Sequence, residues 1–108
     1  MTGSDAVARL RALCDGPRDG ALLRVSLANA LSVAGDRPAA IAELRRATEF
    51  DADYSAGWKL LGKALTETGD TAAAADAFRH GIAAASKRGD KQAEKEMQVF
   101  LKRLQNVQ

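Results

Sequence analysis

Two Gly-Asp turns constrain the fold of this chain more than any other feature of its sequence. They are Gly35-Asp36 and Gly69-Asp70, and they lie 34 residues apart. When the chain is shifted by 34 positions, the residues that match are apolar or small and recur every three or four residues. The matched pairs include Leu27 with Leu61, Leu31 with Leu65, Ala40 with Ala74 and Leu44 with Phe78. This pattern predicts a repeated helix–helix packing interface.

Turn and cap residues predict about six helices of roughly 10–17 residues joined by short loops. We expect a first helix at about Ser4–Asp15, ended by Gly16-Pro17, and a last one at about Asp90–Asn106. A helix that ends at Gly and restarts at Asp uses the carboxylate to cap free backbone N–H groups. The predicted caps are Asp36, Asp70 or Thr71, Asp53 or Ser55, and Asp90, with Pro38 in a first helical turn.

Trp58 is predicted to be buried and to be the largest single contributor to the core. Helical spacing places Trp58, Leu61 and Leu65 on one stripe, facing Ala74 and Phe78. A buried Trp58 would make Trp58→Ala cost roughly 3–5 kcal/mol. The last helix carries its own apolar stripe and is expected to cap the array. That stripe consists of Ala93, Met97, Phe100, Leu101 and Leu104.

The repeats resemble the tetratricopeptide repeat family, and small bacterial proteins of that family in particular. The second repeat, 55–88, matches with Trp58, Leu61, Gly62, Ala74, Phe78 and Gly81. The first repeat, 21–54, matches with Leu27, Ala28, Ala40, Leu44 and Ala47. The departures are Arg24 in the Trp position, Leu31 and Leu65 in the Tyr position, and Ala52 where Pro is common.

This resemblance implies an all-α fold, a short right-handed α-solenoid of two helix–turn–helix repeats. An N-terminal helix would precede the repeats and a capping helix would follow them. We predict a single domain over 1–108. Its parts are an N-terminal helix at 1–17, repeats at 21–54 and 55–88, and a capping helix at 89–108.

No constellation in the sequence supports catalysis, a metal or a cofactor. His80 is the only histidine and Cys14 the only cysteine, so neither has an evident catalytic or metal-binding partner. Residues 57–63 match a phosphate-binding loop in part, but no strand precedes them and Ala64 has no hydroxyl. We therefore expect a protein that is not an enzyme and that has no cofactor.

Charge and hydropathy also limit the partners. The net charge of +2 is too small to attract a nucleic acid or a membrane surface by electrostatics alone. No run approaches the roughly 18 apolar residues of a membrane span, and residues 1–16 lack the apolar block of a signal peptide. A cytoplasmic location is the resulting expectation.

By the resemblance, partner segments lie in a concave groove lined by the first helix of each repeat. The implied groove positions are Leu22, Val25, Asn29, Ser32, Ala56, Lys59, Lys63 and Thr66. Asn29 and the two lysines match in part the clamp by which some relatives hold a C-terminal carboxylate. Val25 and Leu60 depart from that clamp. The other interpretation is a mixed apolar and basic groove for an acidic or amphipathic segment, or one that the cap helix covers.

The leading hypothesis is therefore a cytoplasmic scaffold that binds an unidentified protein segment, and an acidic segment is among the candidates. The alternative is self-association into a homodimer through an exposed apolar edge of the last helix.

Overall fold

The structure, a computed structural model, describes residues 3–106 and forms them into six α-helices without a strand. The helices are α1 (Gly3–Arg11), α2 (Ala21–Val33), α3 (Arg37–Phe50), α4 (Ser55–Glu67), α5 (Thr71–Arg88) and α6 (Lys91–Asn106). The all-α class and the two helix–turn–helix repeats are thereby confirmed. The helices group into two compact units, one ending at Asp51 with α1 to α3 and one beginning at Ala52 with α4 to α6.

Three of the helix starts use the predicted device. The side chains of Asp36, Asp70 and Asp90 each accept a hydrogen bond from a backbone N–H three residues later, at 3.1–3.2 Å. The glycine before each of them has a φ of +74° to +87°, a conformation that favours glycine. The repeated Gly-Asp dipeptide therefore ends one helix and starts the next.

Two other helix boundaries differ from the prediction. Helix α4 begins after Tyr54 without a side-chain cap, so the caps predicted at Asp53 or Ser55 are wrong. The Asp53 carboxylate instead accepts from Lys87 Nζ at 2.9 Å, and Ser55 is buried in the first turn of the helix. Helix α1 ends at Arg11 rather than near Asp15. The N–H groups of Leu13 and Cys14 bond to carbonyls only three residues back, and Asp15 has a φ of +65°, outside the helical region.

Phe78 is the centre of the core in the second unit. Its side chain is 1% exposed, and its ring stacks on Phe100 of α6 with 5.4 Å between centroids. A Cβ at Gly62 would lie 2.6 Å from the Phe78 ring, so α4 can approach the ring only because residue 62 has no side chain. Gly81 makes the corresponding space for Met97 of α6.

Trp58 does not hold the central position that the sequence predicts for it. Its side chain is half-buried, and the largest fully buried side chains are those of Phe78, Leu27, Leu61 and Met97. The Trp58 indole Nε1–H donates to the Ala52 carbonyl at 2.8 Å, and the indole stacks on His80 at 4.6 Å. A polar N–H that reaches a loop carbonyl keeps the ring at the edge of the core. We therefore expect Trp58→Ala to lower the free energy of unfolding by less than the roughly 3–5 kcal/mol expected for a fully buried Trp.

Helix α6 packs with the predicted stripe inward. Met97 and Leu104 are buried, and Ala93, Phe100 and Leu101 are half-buried. The helix lies mainly against α5, and Lys59 of α4 forms an ion pair with Glu96 at 3.5 Å. In the second unit, α6 thus covers the apolar side of the α4–α5 hairpin.

We expect Gly62→Ala to destabilise the protein by about 1–3 kcal/mol, because the new methyl group overpacks the Phe78 ring. The sign of this change in stability tests the packing, because Ala in a helix interior is otherwise more stable than Gly by about 1 kcal/mol. Urea unfolding followed by circular dichroism measures the change. The penalty should shrink when Phe78→Leu is made in both backgrounds, and a stabilising Gly62→Ala would contradict this packing.

Candidate functional site

On helix α4 the predicted groove positions lie at the surface. Lys63 and Thr66 are exposed, Ala56 is half-buried and the Lys59 side chain is 30% exposed. The Lys59 ammonium already faces Glu96, whereas the Lys63 ammonium lies 5.8 Å from the centroid of the Phe100 ring. The Thr66 hydroxyl donates to the Gly62 carbonyl at 2.8 Å. Lys63 is therefore the cation of α4 best placed to meet a partner.

On helix α2, in the first unit, the predicted positions divide between surface and core. Leu22 is 69% exposed, and Asn29 and Ser32 are also exposed. Val25 is only 5% exposed, so its side chain belongs to the core and is not offered to a partner. We therefore remove Val25 from the set of surface positions, because an apolar β-branched side chain gains more from burial than from exposure.

A crevice that the sequence did not reveal opens in the second unit among α4, α5 and α6. Its volume is about 280 Å³. The lining residues are Lys63, Thr66, Glu67, Phe78, Phe100, Arg103 and Leu104. We name it the α4–α6 crevice. The sequence did contain one signal for it, because Phe100 and Arg103 are three residues apart on a helix and so share a side.

A second depression lies at the other end of α4. It has a volume of about 210 Å³ and is lined by Ser55, Lys59, Glu96, Met97 and neighbouring residues. The Lys59–Glu96 ion pair belongs to its lining. Both charges therefore already have a partner of opposite sign there, which leaves the α4–α6 crevice as the stronger candidate site.

The side chains of His80 and Cys14 both contact groups of the protein itself. His80 is exposed, its Nδ1 lies 2.9 Å from the Asp76 carbonyl oxygen, and its ring stacks on Trp58. The Cys14 thiol donates to the Leu10 carbonyl at 3.7 Å, and burial raises the pKa of this thiol. A thiol with a raised pKa is a poorer nucleophile at neutral pH, because less of it is thiolate.

The partial phosphate-loop match at 57–63 lies entirely within α4, so its backbone N–H groups are not arranged as a loop around an anion. Within the described part of the chain, no three His, Cys, Asp or Glu side chains are grouped to hold a metal ion. Between residues 3 and 106, no helix has the length and apolar character needed to cross a bilayer.

In the first unit, charged side chains cluster around the buried Arg24. Its guanidinium donates to both carboxylate oxygens of Asp19, at 2.9 and 2.7 Å, and to Glu43 at 2.9 Å. The backbone N–H groups of Asp15 and Gly20 donate to the same Asp19 carboxylate. The hydrogen bonds from Arg24 hold the pKa of Asp19 well below its usual range and raise the pKa of Arg24. These hydrogen bonds hold the loop before α2 against Arg24, so the cluster stabilises the fold.

Comparison with known proteins adds relatives of similar length. The chain is 54% identical over 86 residues to the TPR repeat-containing protein PA0015 of Pseudomonas aeruginosa. The matched region covers 80% of this chain and 82% of that protein. It is 44% identical to protein BPP2914 from Bordetella parapertussis, whose solution structure superposes with a TM-score of 0.76 over 94% of this chain and 88% of the other.

A third similarity concerns the fold alone. A tetratricopeptide repeat domain protein from Salinibacter ruber is 23% identical, with a TM-score of 0.77 over 83% of this chain and 100% of the other. No protein-family model matches the chain.

We expect Asp19→Asn to lower the free energy of unfolding at pH 7 and to change its pH dependence. A carboxylate with a lowered pKa stabilises the folded state above its unfolded-state pKa of about 4, and that stabilisation is lost as pH falls further. The gap in stability between wild type and variant should therefore be widest near neutral pH and narrow progressively below pH ~4.

Urea unfolding at a series of pH values measures this gap. Glu49→Gln is the control, because Glu49 is exposed and its ion pair with Arg46 is solvated. A gap for Asp19→Asn that stays constant from neutral to acidic pH would show that the charge of the Asp19 carboxylate does not stabilise the fold.

Proposed function

The chain belongs to the tetratricopeptide repeat family, and from this premise we propose that it binds a segment of another protein on the exposed side of α4. Proteins built from this repeat are in general non-catalytic modules for protein–protein interaction. The finer proposal concerns which surface is used and which kind of segment it takes.

The exposure of the first helix of each repeat is the observation that carries the proposal. Lys63 and Thr66 on α4, and Leu22, Asn29 and Ser32 on α2, are exposed. The opposite sides of the two helices form the core, with Leu27 and Leu31 on α2 and Leu61 and Leu65 on α4. Side chains that take no part in the core are available for recognition. The first helix of each repeat therefore has one side in the core and one exposed side, and the exposed side is the one we propose for the partner.

Charge favours an acidic partner for the second unit. The residues from Ala52 onward include nine Lys or Arg and seven Asp or Glu, so the whole excess of +2 lies in this unit. A surface with excess positive charge speeds the encounter with an acidic segment and disfavours a basic one. Among these nine basic residues, Lys63 lies on the proposed binding face of α4 and also lines the α4–α6 crevice.

Self-association is the second candidate. Val99 on α6 is 48% exposed, and it lines a shallow depression together with Lys91 and Lys95. A stable dimer generally buries about 1,200–2,000 Å² in total, which a single exposed valine among lysines does not supply. Sedimentation equilibrium separates the two candidates, since a monomer at high concentration excludes a homodimer.

We expect Lys59→Glu with Lys63→Glu to reduce partner retention at least about tenfold, because the reversed charges repel an acidic segment. Most of the loss should already appear in Lys63→Glu alone, since Lys59 is partly neutralised by Glu96. The measurement is affinity capture from a cytosolic extract of the producing cells, in keeping with the expected cytoplasmic location, with quantification of the retained proteins.

The matched control is Lys91→Glu with Lys95→Glu, which reverses two exposed lysines at the same helical spacing outside the proposed face. Circular dichroism melting of all variants verifies that the fold is kept. Retention that is the same for the wild type and the Lys59 and Lys63 double variant would show that α4 does not bind the partner.

A further inference from the structure

The interior of the α4–α6 crevice is apolar. Phe78 is 1% exposed and Leu104 is 7% exposed, and the half-buried Phe100 ring forms the third apolar wall. The volume of about 280 Å³ is below the roughly 300–1,000 Å³ of pockets that enclose drug-sized ligands. An apolar space of this size suits a single side chain, whose burial displaces water from the aromatic surface.

Two cations stand at the rim of the crevice. Lys63 Nζ lies 5.8 Å and Arg103 Cζ 6.0 Å from the centroid of the Phe100 ring. These distances are near the outer limit of about 6 Å for a cation–π contact, so the ring holds neither cation strongly. The one acidic residue of the lining is Glu67, which leaves one excess positive charge. The rim therefore favours a carboxylate.

We propose that the crevice binds one Leu or Phe side chain of an acidic protein segment, while Lys63 and Arg103 hold the carboxylate of an adjacent Asp or Glu. This assignment rests on the proposed function and names the chemistry of the segment. A phosphate or a nucleic-acid backbone would neutralise the cations but leave the apolar interior without a ligand group. The combination of apolar anchor and adjacent acid fills both parts of the crevice.

The segment is internal to its chain rather than a C-terminus. The described lining has no Asn or Gln side chain to hold the backbone of a chain end, and the Thr66 hydroxyl already donates to the Gly62 carbonyl. Donors for a carboxylate come from two side chains on separate helices. They suit an acidic side chain that reaches the rim beside the anchor.

The test is an NMR titration of the full ¹⁵N-labelled chain with a defined peptide. The probe is an N-acetylated, C-amidated dodecapeptide with one central Leu between two Asp residues in a Gly-Ser background. We expect saturable shifts of the Thr66, Phe100 and Leu104 amides with a Kd of about 1 mM or below. Replacing the peptide's Leu by Ser, or both Asp by Asn, should each weaken binding about tenfold.

Variants of the protein locate the site. Arg103→Gln should weaken binding of the probe about fivefold, and Lys102→Gln, an exposed neighbour outside the lining, should leave it unchanged. The proposal is overturned if the probe gives no saturable shift up to about 10 mM, or if the Leu-to-Ser peptide binds as well. It is also overturned if only the free-acid form of the peptide binds, since that result assigns a C-terminus.

The two proposals fail in different ways. If capture from extract depends on Lys63 but the peptides show no need for Leu, binding on α4 stands and the apolar anchor is wrong. If the peptides behave as expected but capture is unchanged by reversal of Lys59 and Lys63, the crevice stands as a site and the proposed function is wrong.

Discussion

The packing of the Phe78 ring against Gly62 is the interaction on which the second unit depends. A glycine at 62 lets the α4 backbone approach the ring closely, which buries Phe78 almost completely. The buried ring then provides the surface on which Phe100 of α6 stacks, while Gly81 makes room for Met97 of the same helix. Two missing side chains thus determine how closely the three helices approach, because a protein interior tolerates neither overlap nor void.

The candidate binding site follows from the same packing. Phe78 and Phe100 form the apolar surface of the α4–α6 crevice, and α4 and α6 each contribute one cation to its rim. In the first unit, by contrast, the guanidinium of Arg24 is buried and forms ion pairs with Asp19 and Glu43, so it is not available to a partner. Cations that can recognise a partner are those that packing leaves at the surface.

Arg24 and Trp58 show why corresponding positions of a repeat need not behave alike. They occupy the same position of successive repeats, yet Arg24 is buried and Trp58 is half-buried. Each donates to the loop that precedes its helix, Arg24 to the Asp19 carboxylate and Trp58 to the Ala52 carbonyl. Hydropathy alone ranks Trp58 as the deeper residue. The actual depth depends on where the polar atoms find partners, and those partners are not visible in a repeat pattern.

Periodicity and capping are local properties of the chain, so the residues alone predicted the six helices, the three Gly-Asp turns and the inward stripe of α6. Three features depend instead on how the helices pack. Val25 is buried, Lys87 binds the Asp53 carboxylate, and Lys63 lines one crevice with Phe100 and Arg103. Those contacts join residues that are distant in the chain or that compete for one environment. Which contact forms depends on the distance between packed helices, and that distance is a property of the whole core.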